Sequence, residues 1–218
     1  MHKRSRPSLK PKPFVTFEGG EGAGKSTLID AVAKTLEQEG IPFLKAREPG
    51  GTPLGEAVRS LLLNRAEMPI VPHAELLLFL AARAQQIHDV IIPALRAGKI
   101  VLCDRFNDSS IAYQGVARGL GVSVVSTLCE FAVQGVQPDL TIYLDIDPAL
   151  GLTRAKRERA HDRIESETLA FHTKIREGYL ALCQQEPHRM HRIDATQPRS
   201  VVLAQAMAII HARLKRHV

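Results

Sequence analysis

The run Gly19-Gly20-Glu21-Gly22-Ala23-Gly24-Lys25-Ser26-Thr27 constrains this chain more than any other stretch. It follows the apolar segment Phe14-Val15-Thr16-Phe17 and precedes a helical pattern that begins at Leu28. The spacing G-x-x-x-x-G-K-S between strand and helix is that of a phosphate-binding loop. Glycines let successive N–H groups turn inward toward phosphate oxygens, and the following helix aims its positive end at the same anion. Lys25 brings a mobile positive charge to the β- and γ-phosphates, and Ser26 offers a hydroxyl to Mg²⁺. Binding of a nucleoside triphosphate is the first expectation.

The rest of the chain alternates strand and helix patterns. Strands are expected at 14–18, 43–47, 100–103, 140–144 and 190–193. Helices are expected at 26–39, 54–64, 74–97 with a bend near Pro93, 108–116, 124–136, 148–163, 167–185 and 199–215. In the first helix Leu28, Val32 and Leu36 recur at helical spacing. Such alternation predicts an α/β fold in three layers, a five-stranded parallel sheet with helices on both faces. Residues 14–218 are expected to form one domain with a small lid at about 154–165. Ligands of such sheets bind beyond the carboxyl ends of the strands. Glu18, Arg47-Glu48, Asp104-Arg105 and Asp145 all fall at such ends, which predicts that they converge on one rim.

Composition narrows the class. The chain of 218 residues carries a formal net charge of +6, which invites a nucleic-acid reading until the charge is located. Lys3, Arg4, Arg6, Lys10 and Lys12 precede Phe14 with no acid among them, so the remainder is close to neutral. The first 13 residues, with Pro7, Pro11 and Pro13, read as a disordered basic tail that lacks the hydrophobic segment of a secretory signal. No nucleic-acid partner is expected. The longest apolar run, Leu76 to Ala82, is too short to span a bilayer, so no membrane is expected either. Cys103, Cys129 and Cys183 are sparse and far apart, as in reduced thiols of a cytoplasmic protein. Neither they nor the nine histidines form a zinc spacing.

The reaction class follows from what accompanies the loop. A GTPase needs a guanine-reading N-K-x-D, which is missing from the sequence. A motor-type ATPase wants a strand ending in Asp-Glu to orient water, whereas the candidate strands end Asp104-Arg105 and Asp145-Ile146. An arginine in that place favours gripping a second anion. Phosphoryl transfer needs two phosphate groups held in line and their charge neutralised, and arginines at the rim suit that task.

Together these segments resemble the bacterial thymidylate kinases, of the P-loop nucleoside-monophosphate kinase family. The resemblance runs from Phe14 to the final helix. It rests on Phe17-Glu18 with the loop, Arg47-Glu48-Pro49-Gly50-Gly51-Thr52, Leu78-Phe79-Leu80-Ala81-Ala82-Arg83, Asp104-Arg105-Phe106 and Ala112-Tyr113-Gln114-Gly115. Asp162-Arg163-Ile164-Glu165 and Asp194-Ala195-Thr196 complete it. It implies Mg²⁺-dependent transfer of the γ-phosphoryl group of ATP to dTMP, giving dTDP, by a homodimer. Alternatives are a kinase for dUMP, UMP or dCMP, and a non-catalytic nucleotide-binding regulator.

The resemblance also implies roles. Glu21 would accept the 3′-hydroxyl of the acceptor sugar, and Arg47 and Arg105 would hold its phosphate. Phe79 would stack on thymine, although its leucine-rich surroundings taken alone favour a core residue. Arg83, on the same helix face, would donate to the base, with Ser109, Ser110 and Gln114 nearby. Tyr113 would close the sugar pocket. Asp104 and Ser26 would position Mg²⁺, with Glu18 behind them as a catalytic support beside Lys25. Gly22 stands where one branch of the family carries a loop arginine. The segment Arg154-Ala155-Lys156-Arg157-Glu158-Arg159 therefore places this chain in the branch that supplies arginine from the lid. The choice between Arg157 and Arg159 is open, with Arg163 next.

Overall fold

The computed structural model describes residues 13–63, 69–158 and 163–216. Five strands form one parallel sheet in the order β2-β3-β1-β4-β5. They are β1 Phe14–Gly19, β2 Phe43–Arg47, β3 Ile100–Asp104, β4 Leu140–Asp145 and β5 Met190–Asp194. Helices follow them on both faces: α1 Lys25–Gln38, α2 Pro53–Leu63, α3 Pro72–Gln86, α4 Ile92–Arg96 and α5 Asn107–Ser110. Then come α6 Val122–Val133, α7 Pro148–Glu158, α8 Leu169–Gln185 and α9 Arg199–Arg216. The three-layer parallel architecture expected from the sequence is the one observed.

The strands explain the layers. Period-two alternation turns Val15 and Phe17 toward the core built with Leu28, Val32 and Leu36 of α1 and Ala206 and Ile210 of α9. Phe14 faces the opposite core, beside Ile87, Ile91 and Phe106. Thr16 and Glu18 share that face with Phe14, which points the Glu18 carboxylate at α5 and α8. Phe17 pairs with Asp104 across β1 and β3, and Arg47 pairs with Asp104 across β2 and β3. The loops after these strands consequently leave one edge of the sheet together.

Three helices depart from expectation. The long helix bent near Pro93 is two α-helices joined by a π-helical turn, Ile87–Ile91. A proline ring clashes with the carbonyl four residues earlier, and the wider turn, with Ile92 N–H donating to Ile87 O, accommodates it. Residues 107–117 begin as α5 and widen into a second π-helical segment, Ile111–Ala117. The helix expected over 148–163 is described as α7 only to Glu158, and residues 163–166 form turns. The first 12 residues of the basic tail lie outside the described residues.

Candidate active site

A cavity of about 800 Å³ opens at the carboxyl edge of the sheet. Glu21 to Thr27 form part of its wall, and so do Arg47, Phe79, Asp104, Arg105, Ser109, Tyr113 and Gln114. The phosphate loop and the residues expected to hold an acceptor thus share one space.

The loop adopts the conformation its glycines permit. Gly22 and Gly24 have φ of 65° and 86°, left-handed values that a side chain resists. Lys25 folds back over the loop, its Nζ donating to Gly19 O at 3.1 Å and Gly20 O at 3.3 Å. Burial, with Arg105 nearby, pushes its ammonium pKa down. That cation is poorly solvated until an anion arrives, which favours phosphate.

Gly22 has a second role. A Cβ built there would lie 2.0 Å from the carbonyl oxygen of Gly151 on α7. The reverse also holds, since a Cβ on Gly151 would lie 2.3 Å from Glu21 O. No side chain fits between loop and lid helix. An arginine inside the loop is excluded here by packing, and the cation has to come from elsewhere.

Arg105 lines the cavity. Its backbone is left-handed, φ 68°, a strained conformation of a kind concentrated at functional sites. The guanidinium donates to Gly19 O at 3.0 Å and to Glu21 Oε1 at 2.8 Å, and lies 5.0 Å from the Tyr113 ring centroid. Tyr113 donates its hydroxyl to the same Glu21 oxygen at 2.8 Å. Burial raises the Glu21 pKa, but Arg105 and Lys25 outweigh it and hold the group at about 2. Glu21 is therefore an anion shared between the loop and the acceptor side.

Glu18 lies behind this assembly, fully buried and outside the cavity wall. It accepts from Phe106 N at 2.7 Å, Ser109 Oγ at 2.6 Å and Tyr179 Oη at 2.9 Å. The first of these bonds pins the strained turn at Arg105. Burial, with Asp108 adding repulsion, raises the Glu18 pKa to about 7. It sits behind Asp104 and Ser26 as expected, facing the turn at Arg105 and bordering no part of the cavity.

Other expected residues divide clearly. Asp104 and Ser26 meet, with Ser26 Oγ 3.3 Å from Asp104 Oδ2. Arg47 borders the cavity, held by two bonds to Glu56 at 2.9 and 3.0 Å. Arg83 is 1% exposed and lies outside the cavity wall. It donates to Glu48 Oε2 at 2.6 Å, Asn107 Oδ1, Cys129 Sγ and Phe106 O. These contacts engage four of its five N–H groups. Ser110 is buried away from the wall. Asp145 does not join the rim: Tyr143, Arg176 and Arg192 claim it between β5 and α8. Arg163 is withdrawn as a lid cation, since it donates to Glu75 Oε2 at 2.6 Å and Leu62 O at 2.9 Å. Arg157 stands on the last turn of α7, and Arg159 lies outside the described residues.

Some cavity residues were missed. Arg59 of α2 carries no sequence signal. Arg199 does carry one: it opens α9, where a cation opposes the helix dipole and calls for an anion to explain it. Arg154 also borders the cavity and donates to Ala195 O at 3.1 Å.

The thymidylate kinase family model matches residues 17–206. The chain belongs to the thymidylate kinase family. It is 49% identical over 213 residues to the thymidylate kinase of Protochlamydia amoebophila, covering 94% of this chain and 95% of that one. It is 48% identical over 209 residues to that of Geobacillus thermodenitrificans, covering 94% and 93%. The crystal structure of thymidylate kinase from Ehrlichia chaffeensis superposes with a TM-score of 0.73 at 32% identity, over 92% of this chain and 99% of that one. Among the described residues no helix is long and apolar enough to cross a membrane.

Proposed function

We propose that this cavity aligns ATP with dTMP, and that the residues lining it carry the transfer. The protein phosphorylates dTMP to dTDP with ATP as donor. The observation that carries the assignment of roles is the continuity of one cavity from the phosphate loop to Arg47, Phe79, Arg105 and Tyr113. The loop amides and Lys25 hold the donor phosphates. Arg47 and Arg105 clamp the acceptor phosphate, where a planar fork matches phosphate oxygens. Phe79 stacks on the thymine, and Arg83 braces that side of the cavity from behind through Glu48 and Asn107. Glu21 takes the sugar 3′-hydroxyl, and Tyr113, tied to Glu21, fills the space that a 2′-hydroxyl needs. Arg157 or Arg159 closes over the transferring group, a cation supplied in cis.

Asp104 and Ser26 fit a magnesium ion. Asp104 Oδ1 is buried without a hydrogen-bond partner, and the Ser26 hydroxyl lies beside the same carboxylate. Few protein oxygens, completed by phosphate and water, suit this hard cation. When bound, Mg²⁺ neutralises charge on the donor phosphates.

A homodimer belongs to the same reading. Helices α3 and α6 pack together and leave Leu77, Val124 and Phe131 exposed by 59%, 57% and 85%. Exposed apolar side chains on this helix pair support an interaction surface there.

A coupled ADP-release assay across dTMP, dUMP, UMP and dCMP tests the acceptor. Turnover is expected with dTMP, and UMP turning over at a matching rate would sink the assignment of Tyr113.

A further inference from the structure

Helix α8 carries a buried group that the roles above do not use. His172 is 4% exposed, and its Nε2 has no hydrogen-bond partner. The other ring nitrogen is engaged by the Glu165 backbone. Because a carbonyl accepts, Nδ1 carries the proton and Nε2 presents a lone pair. An unmatched lone pair in the interior is costly unless something donates to it.

A second, small void identifies the donor. It measures about 10 Å³ and is bordered by His172, Glu21, Gly20, Tyr143 and Arg176. That volume is roughly one water sphere, and its lining offers the several polar partners that a buried water requires. Glu21 is positioned to share it. Arg105 and Tyr113 both bind its Oε1, which leaves Oε2 as the oxygen for a third donor.

We propose that one bound water bridges His172 Nε2 and Glu21 Oε2, making His172 a positioning residue for the acceptor sugar. The water gives one hydrogen to the imidazole lone pair and the other to the carboxylate. Glu21 is then held from both sides, by Arg105 and Tyr113 on the cavity side and by α8 through the water behind. The carboxylate plane is thereby fixed, and its remaining acceptor capacity faces the sugar hydroxyl. The inference rests on the reading of Glu21 as the sugar-binding carboxylate.

Two measurements test it. A crystal structure of the wild-type enzyme at a resolution that shows ordered waters should place a water within hydrogen-bonding distance of His172 Nε2 and Glu21. A dry void overturns the proposal whatever the enzyme's substrate. His172→Asn keeps a donor near Nδ1 but removes the Nε2 acceptor, and should raise the KM for dTMP about tenfold, one hydrogen bond's worth. The KM for ATP and kcat should stay within about threefold, and His172→Gln, whose amide reaches the Nε2 position, should restore the KM for dTMP. Thermal melts confirm that both variants fold. An unchanged KM for dTMP in His172→Asn also overturns the inference. Failure of the wild type to phosphorylate dTMP would instead defeat the functional reading itself.

Discussion

Lys25 and Glu18 are both buried ionisable groups beside the same cavity, yet their environments put them to opposite uses. Lys25 keeps its charge on loop carbonyls until phosphate replaces them. Lys25→Ala should therefore cut kcat by about 10²–10³-fold, the usual loss when one preorganised charge contact is removed, with an unchanged melting curve. Glu18 titrates near 7 because burial favours its neutral form. A carboxyl group whose folded pKa lies above the unfolded value of 4.5 stabilises most at low pH, and that contribution is lost as pH rises toward 7. Glu18→Gln cannot ionise and escapes this loss. Its stability relative to wild type should rise by about 3 kcal/mol between pH 4.5 and pH 8, as measured by denaturant melts at each pH. A flat difference would show that Glu18 is ionised throughout. Loop chemistry and the strand-end arginine were legible in the sequence because they obey spacing rules. The surroundings of Glu18 and Asp145 were not, because they include partners distant in sequence, among them Tyr179 for Glu18 and Arg176 for Asp145.

Helix contacts decide where the missing cation comes from. The Gly22–Gly151 approach leaves no room for a loop arginine, and Arg163 is tied to Glu75 and Leu62. The lid candidates reduce to Arg157 and Arg159. One of Arg157→Ala and Arg159→Ala should lower kcat by about 10³-fold or more with little change in KM for dTMP, and stopped-flow turnover names which. If neither does, the lid argument fails. Gly151→Ala tests the packing itself. Forcing a methyl group against Glu21 O should destabilise the fold by about 1–3 kcal/mol and raise the KM for ATP, since the loop must shift. The order of strands and helices was visible in the sequence because hydrophobic period changes at each boundary. The two π-helical segments were not, because five and seven residues are too few to separate the longer period of a widened turn from that of an α-helix.

At the scale of the whole molecule, the outward surface is tied to the cavity through α3. One side of this helix presents Phe79 to the cavity, and another leaves Leu77 exposed beside α6, where Phe131 is 85% exposed. In the proposed homodimer a partner copy covering Leu77 and Phe131 would remove apolar area from water and clamp α3 from outside. Periodicity alone does not decide which of these residues turn outward, since Leu76 to Ala82 is apolar without interruption. Leu77→Asp combined with Phe131→Asp places two charges where two large apolar side chains stood. Desolvating them costs more than the contact returns, so sedimentation velocity should report a species of 24.0 kDa where the wild type sediments at twice that mass. With α3 unclamped, Phe79 loses its fixed angle to the base, and the KM for dTMP should rise several-fold while the KM for ATP, set by the loop and α9, holds. A wild type that already sediments at 24.0 kDa, or a monomeric variant with unaltered dTMP kinetics, would separate the surface from the site.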